Sequence, residues 1–264
     1  MEDVRAYLDA YYASHDEHSR LAVRRAGIVE YETTMRYIRR YLTAGMRVLE
    51  IGAGTGRYSH ALAQRGWQVD AVELVEHNIR RFEALTQPDE PVTVRQGSAD
   101  DLGFFEDDSY DLTLLLGPMY HLFTEKEKKA ALCEAVRVTK PGGVVIAAYC
   151  MADASILGFG FLRGNIRYLL ENGMLDEQFN AISRPQDLFV MHRVEDIAAL
   201  RSPLPVQPLM MVAADGMSHH MGEALENMDE ESFSHFLRYH FAVCERQELL
   251  GWSNHVLDIF KKLN

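Results

Sequence analysis

Cysteine is scarce in this sequence, and its placement argues against two common kinds of cysteine site. Only three cysteines occur among 264 residues, at Cys133, Cys150 and Cys244, and none belongs to a CxxC pair. Disulfide frameworks and zinc ribbons show even numbers of closely patterned cysteines, which this chain does not have. The sequence therefore predicts free thiols in a reduced protein.

Positive charge and long apolar runs are lacking as well. The chain has 27 Lys and Arg against 39 Asp and Glu, a formal net charge of −12. Such acidity opposes attraction to nucleic acid or anionic lipid. No apolar run reaches the roughly 20 residues of a membrane helix, and the acidic N-terminus does not resemble a signal peptide. We expect a cytoplasmic protein, monomeric or homodimeric, with no nucleic-acid or membrane partner.

Short apolar runs alternate with helical periodicity over most of the chain. Helical segments separate five predicted strands, which cover 46–52, 67–74, 91–97, 109–117 and 144–149. This alternation is typical of a parallel, doubly wound sheet in an α/β protein. Two later strands, at 206–215 and 254–263, are expected to form an antiparallel edge hairpin. The result is a mostly parallel seven-stranded sheet within one domain of residues 1–264.

Two segments do not follow this alternation. Residues 1–42 show only helical periodicity, and we expect them to form a helical N-terminal cap. Residues 151–190 contain a glycine-punctuated amphipathic stretch after the fifth strand, which predicts a helical insertion. Its glycines and aromatic residues indicate a movable lid that recognises substrate and excludes water.

A glycine-rich turn, "VLEIGAGTG" (48–56), joins the first predicted strand to a helix. The dinucleotide fingerprint G-x-G-x-x-G requires glycine at the position of Arg57, and no G-K-[ST] of a P-loop follows. Glu50, within the strand, disfavours a phosphate and suits an ammonium group. A second acid, Glu73, lies 21 residues after Gly52, close to the spacing at which an acid binds ribose hydroxyls. S-adenosylmethionine (SAM), which combines a ribose with a zwitterionic tail, fits this pattern.

Four stretches in order, "VLEIGAGTG", "VDAVEL", "GSADDLGFFEDDSYDLTLLLG" and "EAVRVTKPGGVVIAAY", resemble the motif series of class I SAM-dependent methyltransferases. The resemblance covers about 46–150, and the flanking segments are similar to those of bacterial small-molecule methyltransferases. It implies a Rossmann-like methyltransferase fold, SAM as cofactor and S-adenosylhomocysteine (SAH) as product.

The resemblance also implies cofactor contacts, at positions named here by this sequence. The glycine turn would lie against the methionine part, Glu50 would help the amino group, and Glu73 would hold the ribose. The family's acid for the adenine amino group is replaced by Ser98, so either Ser98 or Asp100 is expected to accept from adenine. The other implied contact residues are Gly52, Ala53, Gly54 and Gly56 of the turn, Leu74 and Ala99 at the adenine, and Gly117 at the methionine part.

Methyl transfer from a sulfonium is an in-line displacement that mainly requires alignment and exclusion of water. A base is needed only when the nucleophile carries a proton. The turn "GPMYH" after strand four lacks the [DN]-P-P-[YFW] pattern of enzymes that methylate DNA bases. Tyr120 and His121 are the candidate catalytic residues in this turn. The alternative for His121 is that it caps the next helix or packs beside the cofactor.

The N-terminal cap supplies two further candidates. Tyr12 is expected to cover the methionine part and Arg20 to meet its carboxylate; alternatively they are a core residue and a surface cation. No metal site is expected, because His219 and His220, with the histidines downstream, lack a compact ligand pattern.

The sequence thus predicts a SAM-dependent methyltransferase that acts at O or N of a small-molecule acceptor. An RNA or protein methyltransferase is disfavoured by the charge and by the predicted lid. A non-catalytic SAM-binding module, serving as a sensor or partner subunit, remains open because methyl transfer needs no diagnostic nucleophile. An NAD-dependent oxidoreductase is a third, more distant alternative.

Overall fold

A mixed β-sheet forms the centre of the protein in the computed structural model, which describes residues 2–14 and 17–264. The strands follow the order β3-β2-β1-β4-β5-β8-β7. The first five pair in parallel, whereas β8 pairs antiparallel with both β5 and β7. The strands are β1 Arg47–Ile51, β2 Gln68–Glu73, β3 Val92–Gln96, β4 Tyr110–Leu115, β5 Thr139–Met151, β6 Met191–His192, β7 Val206–Ala213 and β8 His255–Lys262.

This topology confirms the predicted doubly wound sheet with an antiparallel edge hairpin. Seven strands lie on the main path, and the two-residue β6 pairs with the end of β5 as an eighth strand that the sequence analysis missed. A pairing of two residues is too short to produce a readable alternation of apolar and polar side chains.

Helices cover both faces of the sheet and account for the continuous apolar runs in its central strands. They are α4 Arg57–Ala63, α5 Glu76–Leu85, α6 Glu125–Val138 and α9 Val194–Arg201. Strands of a parallel sheet are buried on both faces, so they carry few polar positions. Consistent with this, Val48, Leu49, Leu112 and Leu114 are fully buried. Helix α6 begins at the predicted capping box of Thr124 and Glu127.

The N-terminal segment is helical, as expected. It contains α1 Glu2–Ser14, α2 Glu17–Arg20 and α3 Arg25–Arg40. Met35 and Ile38 of α3 lie on the core-facing side and are completely buried. The predicted inward face of α1 is only partly buried, because Leu8 is enclosed whereas Tyr7 is exposed.

The segment between β5 and β6 is divided into several short helices. These are α7 Ala152–Ser155, a π-helix at Ile156–Leu162, α8 Ile166–Glu171 and a 3₁₀ turn at Pro185–Asp187. Ile156, Leu169 and Leu175 form a small apolar cluster within it. Gly158 and Gly160 lie within the π-helix, and only Gly164 stands at a break in the expected continuous helix; movement of the lid stays a prediction.

The segment between β7 and β8 is also helical. It consists of α10 Ser218–Met221, α11 Glu223–Glu226, α12 Glu230–Val243 and a 3₁₀ helix at Gln247–Trp252. Across residues 2–14 and 17–264, the helices include none with both the length and the apolar character needed to cross a bilayer.

Candidate active site

The candidate site lies at the edge of the sheet where the parallel strands end. The carboxyl ends of β1, β2, β4 and β5 meet at this edge. Because β8 runs in the opposite direction, its first residue, His255, pairs with Cys150 near the end of β5. Asp215, two residues after β7, reaches the same edge. This topology brings the C-terminal part of the chain next to the glycine-rich turn.

The glycine-rich turn adopts a backbone conformation that glycine favours. Gly52, Gly54 and Gly56 all have positive φ, at 76°, 56° and 85°. A Cβ atom added at Gly52 would lie 2.5 Å from Cδ of Pro118, and one at Gly56 would lie 2.5 Å from the Phe82 ring. The glycine at 56 is therefore required for packing against α5, whatever its contact with a cofactor.

Glu73 lies at the end of β2 and is directed back at the glycine-rich turn. Its Oε2 accepts a 2.7 Å hydrogen bond from the Gly54 backbone N–H, and its Oε1 accepts one of 2.8 Å from Val75 N–H. Burial raises the pKa of Glu73, although these N–H donors partly offset the rise. Oε1 also accepts a longer bond of 3.4 Å from the Asn78 side-chain amide, so Oε2, with one donor, is the oxygen that retains acceptor capacity for a ribose hydroxyl.

Glu50 is buried between β1 and α4. Its carboxyl group is hydrogen-bonded to the Ser59 hydroxyl. Burial raises the pKa of Glu50 to about 8, and the nearby charge of Glu73 adds to the increase. Glu50 is therefore mostly protonated at neutral pH when no cation is near. A bound ammonium or sulfonium would favour its ionised form, so these two acids fit the cationic end of SAM.

Two of the predicted adenine contacts are bonded to each other. The hydroxyl of Ser98 donates to the carboxylate of Asp100. Ser98 and Asp100, which the sequence left as alternatives, thus form one polar unit after β3. Ala99 between them is buried, and Leu74 is half-buried. The adenine contacts of all four residues stay predictions.

The "GPMYH" turn after β4 packs against the glycine-rich turn. Residues Pro118–Tyr120 form one turn of 3₁₀ helix. Gly117 has a φ of 139°, and a Cβ added there would lie 3.5 Å from the Gly52 carbonyl oxygen. The turns after β1 and β4 therefore approach closely, as expected for two walls of a single site.

Hydrogen bonds from two other segments determine the protonation of His121. The Leu188 carbonyl accepts from Nδ1 at 2.7 Å, which places the proton of the neutral ring on Nδ1. The lone pair of Nε2 then accepts from the Tyr12 hydroxyl at 3.1 Å. Burial lowers the pKa of His121, so the ring is neutral at physiological pH. Thr124, not His121, caps α6, which contradicts one of the two alternatives for His121.

Tyr12 and Arg20 both reach this edge of the sheet from the N-terminal cap. Tyr12 lies over His121, so the structure brings together two residues that the sequence named separately. Two nitrogens of Arg20 donate to the Glu30 carboxylate, at 2.8 and 3.2 Å. The contact of Arg20 with the carboxylate of SAM stays a prediction. In this structure the two guanidinium nitrogens bind Glu30.

Four residues of this edge were missed as a group by the sequence analysis. Their potential ligand atoms lie within 4.8 Å of one another, and we call them the carboxylate–histidine cluster: Glu30, Asp215, His219 and His255. One local signal was available. Glu30 stands four residues before Thr34 and eight before Ile38, on a buried stripe of α3 where an acid is unusual.

Opposite charges stabilise this cluster. Burial by itself would lower the pKa of His255, but the Glu30 and Asp215 carboxylates raise it well above its usual value. Burial conversely opposes ionisation of Asp215, while His255 and His219 hold its pKa well below the ordinary range. The cluster is thus a buried ionic network that Arg20 extends through Glu30.

A small polar cavity lies between the cluster, the start of α4 and the turn after β4. Its volume is about 20 Å³, room for about one water molecule. Burial raises the pKa of the Tyr120 hydroxyl well above its usual value, and the Tyr120 ring lies 5.6 Å from that of His255. The lining residues are Arg20, Glu30, Thr34, Tyr58, Leu116, Tyr120, Ala148, Ala214, His255 and Leu257.

Residues 49–147 match a family of known proteins described as "Methyltransferase domain". The matched segment contains the glycine-rich turn, Glu73, the Ser98–Asp100 unit and the "GPMYH" turn. We call residues 49–147 the methyltransferase domain, after the family that they match. The match confirms the predicted cofactor class, SAM.

Curated relatives of the methyltransferase domain are similar over part of their length. The chain is 35% identical over 119 residues to a demethylmenaquinone methyltransferase of Clavibacter sepedonicus, covering 45% of this chain and 47% of the relative. It is 31% identical to a cypemycin N-terminal methyltransferase of Streptomyces, covering 54% and 56%. A SAM-dependent Diels-Alderase of Talaromyces variabilis is 28% identical, over 39% of this chain and 35% of that protein. The chain thus spans between about a third and a little over half of the length of these three relatives.

A solved structure extends the similarity in fold beyond the domain. The N-methyltransferase NodS of Bradyrhizobium japonicum, in complex with SAH, superimposes with a TM-score of 0.61. The alignment covers 99% of this chain and 100% of NodS at 14% sequence identity. At that identity the likeness shows the fold, including the helical segments outside residues 49–147, and nothing of the acceptor.

Proposed function

We propose that the protein transfers the methyl group of SAM to an oxygen or nitrogen of a small-molecule acceptor. The observation that carries this proposal is the polar cavity at the sheet edge. It lies beside the start of α4 and the turn after β4 and is covered by the N-terminal cap. The methyltransferase domain supplies one wall of the cavity, and the rest of the chain supplies the others.

The residues that would hold SAM fit its chemistry. Oε2 of Glu73 has one further acceptor lone pair at the glycine-rich turn, and Glu50 ionises more readily when a cation is bound nearby. The turn itself presents backbone without side chains to the ligand. When bound, SAM supplies an electrophilic methyl group on its sulfonium; the protein has to align the acceptor and keep water out.

A small acceptor is supported by the enclosure of the cavity. Two of the side chains that line it, Glu30 and His255, are only 6% and 16% exposed. The side chain of Arg20, which also lines it, is 37% exposed. A polymer would need an open groove at this edge. Because about 20 Å³ does not hold an acceptor, the cap or the insertion must move to admit one.

We assign the base role to His121 when the acceptor carries a proton. Its ring is neutral, and its Nε2 lone pair is directed at Tyr12 from the cap. An acceptor hydroxyl or ammonium that takes the place of the Tyr12 hydroxyl would donate its proton to Nε2. Tyr120 remains protonated because its pKa is raised, so it acts as a hydrogen-bond donor to the acceptor.

The first experiment separates methyl transfer from binding alone. We expect isothermal titration to show SAM and SAH binding, and NAD to leave the melting temperature unchanged. The protein is then incubated with SAM and pools of small hydroxyl and amine compounds, and SAH release and methylated products are measured by mass spectrometry. Glu73→Gln, which should bind SAM more weakly, provides the matched control.

The results decide between the proposal and its alternatives. SAM binding without SAH release across broad pools would support a SAM-binding module. A new product formed without methyl transfer would instead indicate a SAM-dependent reaction of another kind, as in the Diels-Alderase of Talaromyces variabilis. Methylation of RNA or protein in place of small compounds would contradict the acceptor class.

A further inference from the structure

We propose that the carboxylate–histidine cluster is a binding site for a divalent transition-metal ion, with Zn²⁺ as the best fit. Two histidine nitrogens and two carboxylate oxygens form the set, within 4.8 Å of one another. The four residues lie outside the methyltransferase domain at 49–147, and the proposal goes beyond the proposed function. Mixed nitrogen and oxygen ligands of this kind are ones that zinc accepts in four-coordinate sites.

Two distances in the cluster match ligands that share a metal. His219 Nε2 lies 3.3 Å from Asp215 Oδ2, and His255 Nδ1 lies 3.4 Å from Glu30 Oε2. Zinc bonds of roughly 2.0–2.1 Å in tetrahedral geometry place neighbouring ligand atoms about 3.3 Å apart. The third distance, 2.7 Å from His255 Nδ1 to Asp215 Oδ2, is that of a hydrogen bond. Metal binding would replace the proton on Nδ1 and widen this contact by a few tenths of an ångström.

The ring nitrogen of His219 is the second observation. The atom Nε2 is shielded from solvent and makes no hydrogen bond among residues 2–14 and 17–264, although the His219 side chain is 30% exposed and a carboxylate oxygen lies 3.3 Å away. Buried polar atoms nearly always have a partner, so this nitrogen requires an explanation. A metal ion between Nε2 and the Asp215 carboxylate would give Nε2 a partner.

Neighbouring groups hold the carboxylates in position from behind. Asp215 Oδ1 accepts from the Ser253 hydroxyl at 2.6 Å and from the His255 backbone N–H at 3.2 Å, which leaves Oδ2 for the cluster. Arg20 holds both oxygens of Glu30 in the same way. Metal sites depend on such supporting hydrogen bonds to orient their ligands.

The alternative occupant is a proton. With His255 protonated, the cluster is an ion-pair network that needs no metal, and His219 Nε2 is its unexplained atom. Binding of Zn²⁺ would release that proton and would join α3, the start of β8 and α10 through one ion. Because Glu30 and His255 also line the cavity, the ion would stand in the wall next to the acceptor.

The test uses the full chain, freed of metal with a chelator and titrated with Zn²⁺ alone. We expect one Zn²⁺ per chain by calorimetry and by elemental analysis after dialysis, with a higher melting temperature. His219→Ala should weaken binding on the order of 100-fold. His235→Ala, which changes an exposed histidine of α12, is the matched control and should bind like the wild type.

If His219→Ala folds poorly, measurements on the wild-type protein and on His235→Ala still test the proposal. X-ray absorption of the wild-type protein with one equivalent of Zn²⁺ should show two nitrogen and two oxygen ligands. The oxygen ligands are carboxylates that have replaced water molecules of the hydrated ion. Absence of stoichiometric Zn²⁺ binding, or binding that is lost equally in His235→Ala, would overturn the proposal. Stoichiometric binding of Mn²⁺ with no binding of Zn²⁺ would contradict the assignment of zinc.

Discussion

The methyltransferase domain and the carboxylate–histidine cluster lie at the same edge of the sheet but are built differently. The cofactor residues of the domain follow strand ends within 49–147, and each motif is a short local pattern. The cluster combines Glu30 from the cap with Asp215, His219 and His255. Only Asp215 and His219 are close to each other in the sequence, and they do not form a recognised motif. Local motifs therefore indicate the cofactor, whereas the acceptor side is assembled from distant segments.

His121 does not fit this division between the domain and the distant segments. It belongs to the domain by sequence, yet its hydrogen-bond partners, Tyr12 and Leu188, come from the cap and the insertion. We expect His121→Ala to lower turnover by about 10²–10⁴, the usual range for a general base, because Nε2 no longer accepts the acceptor proton. SAM affinity, measured by calorimetry, should be nearly unchanged. Unaltered turnover would remove His121 from the mechanism.

Gly52→Ala should have the next largest effect, and it should be confined to the domain. The added Cβ would meet Pro118 at 2.5 Å and would have to adopt a φ of 76°. Overpacking costs about 1–3 kcal/mol, and the left-handed conformation about 1–2 kcal/mol more, in free energy of unfolding. Chemical denaturation and SAM titration should both record the loss.

Gly45→Ala is the matched control for Gly52→Ala. Gly45 has a similar φ of 82°, but no atom lies within 4 Å of an added Cβ. This variant should lose only the conformational part of the free energy of unfolding and should bind SAM normally. Equal losses of stability in the two variants would show that contact with Pro118 is not the cause.

We expect Gly52→Ala to leave Zn²⁺ binding at the carboxylate–histidine cluster unchanged. Weaker Zn²⁺ binding in this variant would show that the methyltransferase domain and the cluster are not independent.

Glu73→Ala should weaken SAM by about 1–3 kcal/mol, because it removes the predicted ribose contact and leaves the Gly54 and Val75 N–H groups unpaired. Glu76→Ala changes an exposed acid three residues away and should have no effect. Calorimetric titration of both variants measures the difference. SAM binding of wild-type strength in Glu73→Ala would contradict the ribose assignment.

Glu50→Gln should have the smallest effect, and a favourable one on the ligand-free protein. The folded pKa of about 8 exceeds the ordinary value of 4.5, so wild-type stability falls as pH rises from 4.5 towards 8. A neutral amide avoids this penalty, and the variant should be more stable by about 1–3 kcal/mol at pH 7.5 and little changed at pH 4.5. Denaturation at both pH values measures the difference.

The cofactor side of Glu50→Gln has the opposite sign. An amide lacks the negative charge that a bound cation would induce, so SAM should bind more weakly to the variant although the fold is more stable. A variant that is no more stable at pH 7.5 than at pH 4.5, relative to wild type, would show that Glu50 is ionised in the ligand-free protein.

Much of the fold was predictable because its elements have local signatures. The parallel strands carry continuous apolar runs, α6 begins at a capping box, and the positive-φ turn is marked by Gly52, Gly54 and Gly56. The two-residue β6 and the breaks in the insertion were missed, since such short elements have no readable period. Ser98 and Asp100, predicted as alternatives, bond to each other because they lie on one turn.

The amino-acid sequence by itself determined the alternation of strands and helices, the glycine-rich turn and the cofactor class, since residues close in the chain carry each of these. Only the tertiary structure decided that Tyr12 bonds to His121, that Arg20 pairs with Glu30, and that Asp215 and His219 meet His255. The physical reason is the reversed direction of β8. An antiparallel last strand begins where the parallel strands end, and it thereby places residue 255 in the wall of a site that starts at residue 50.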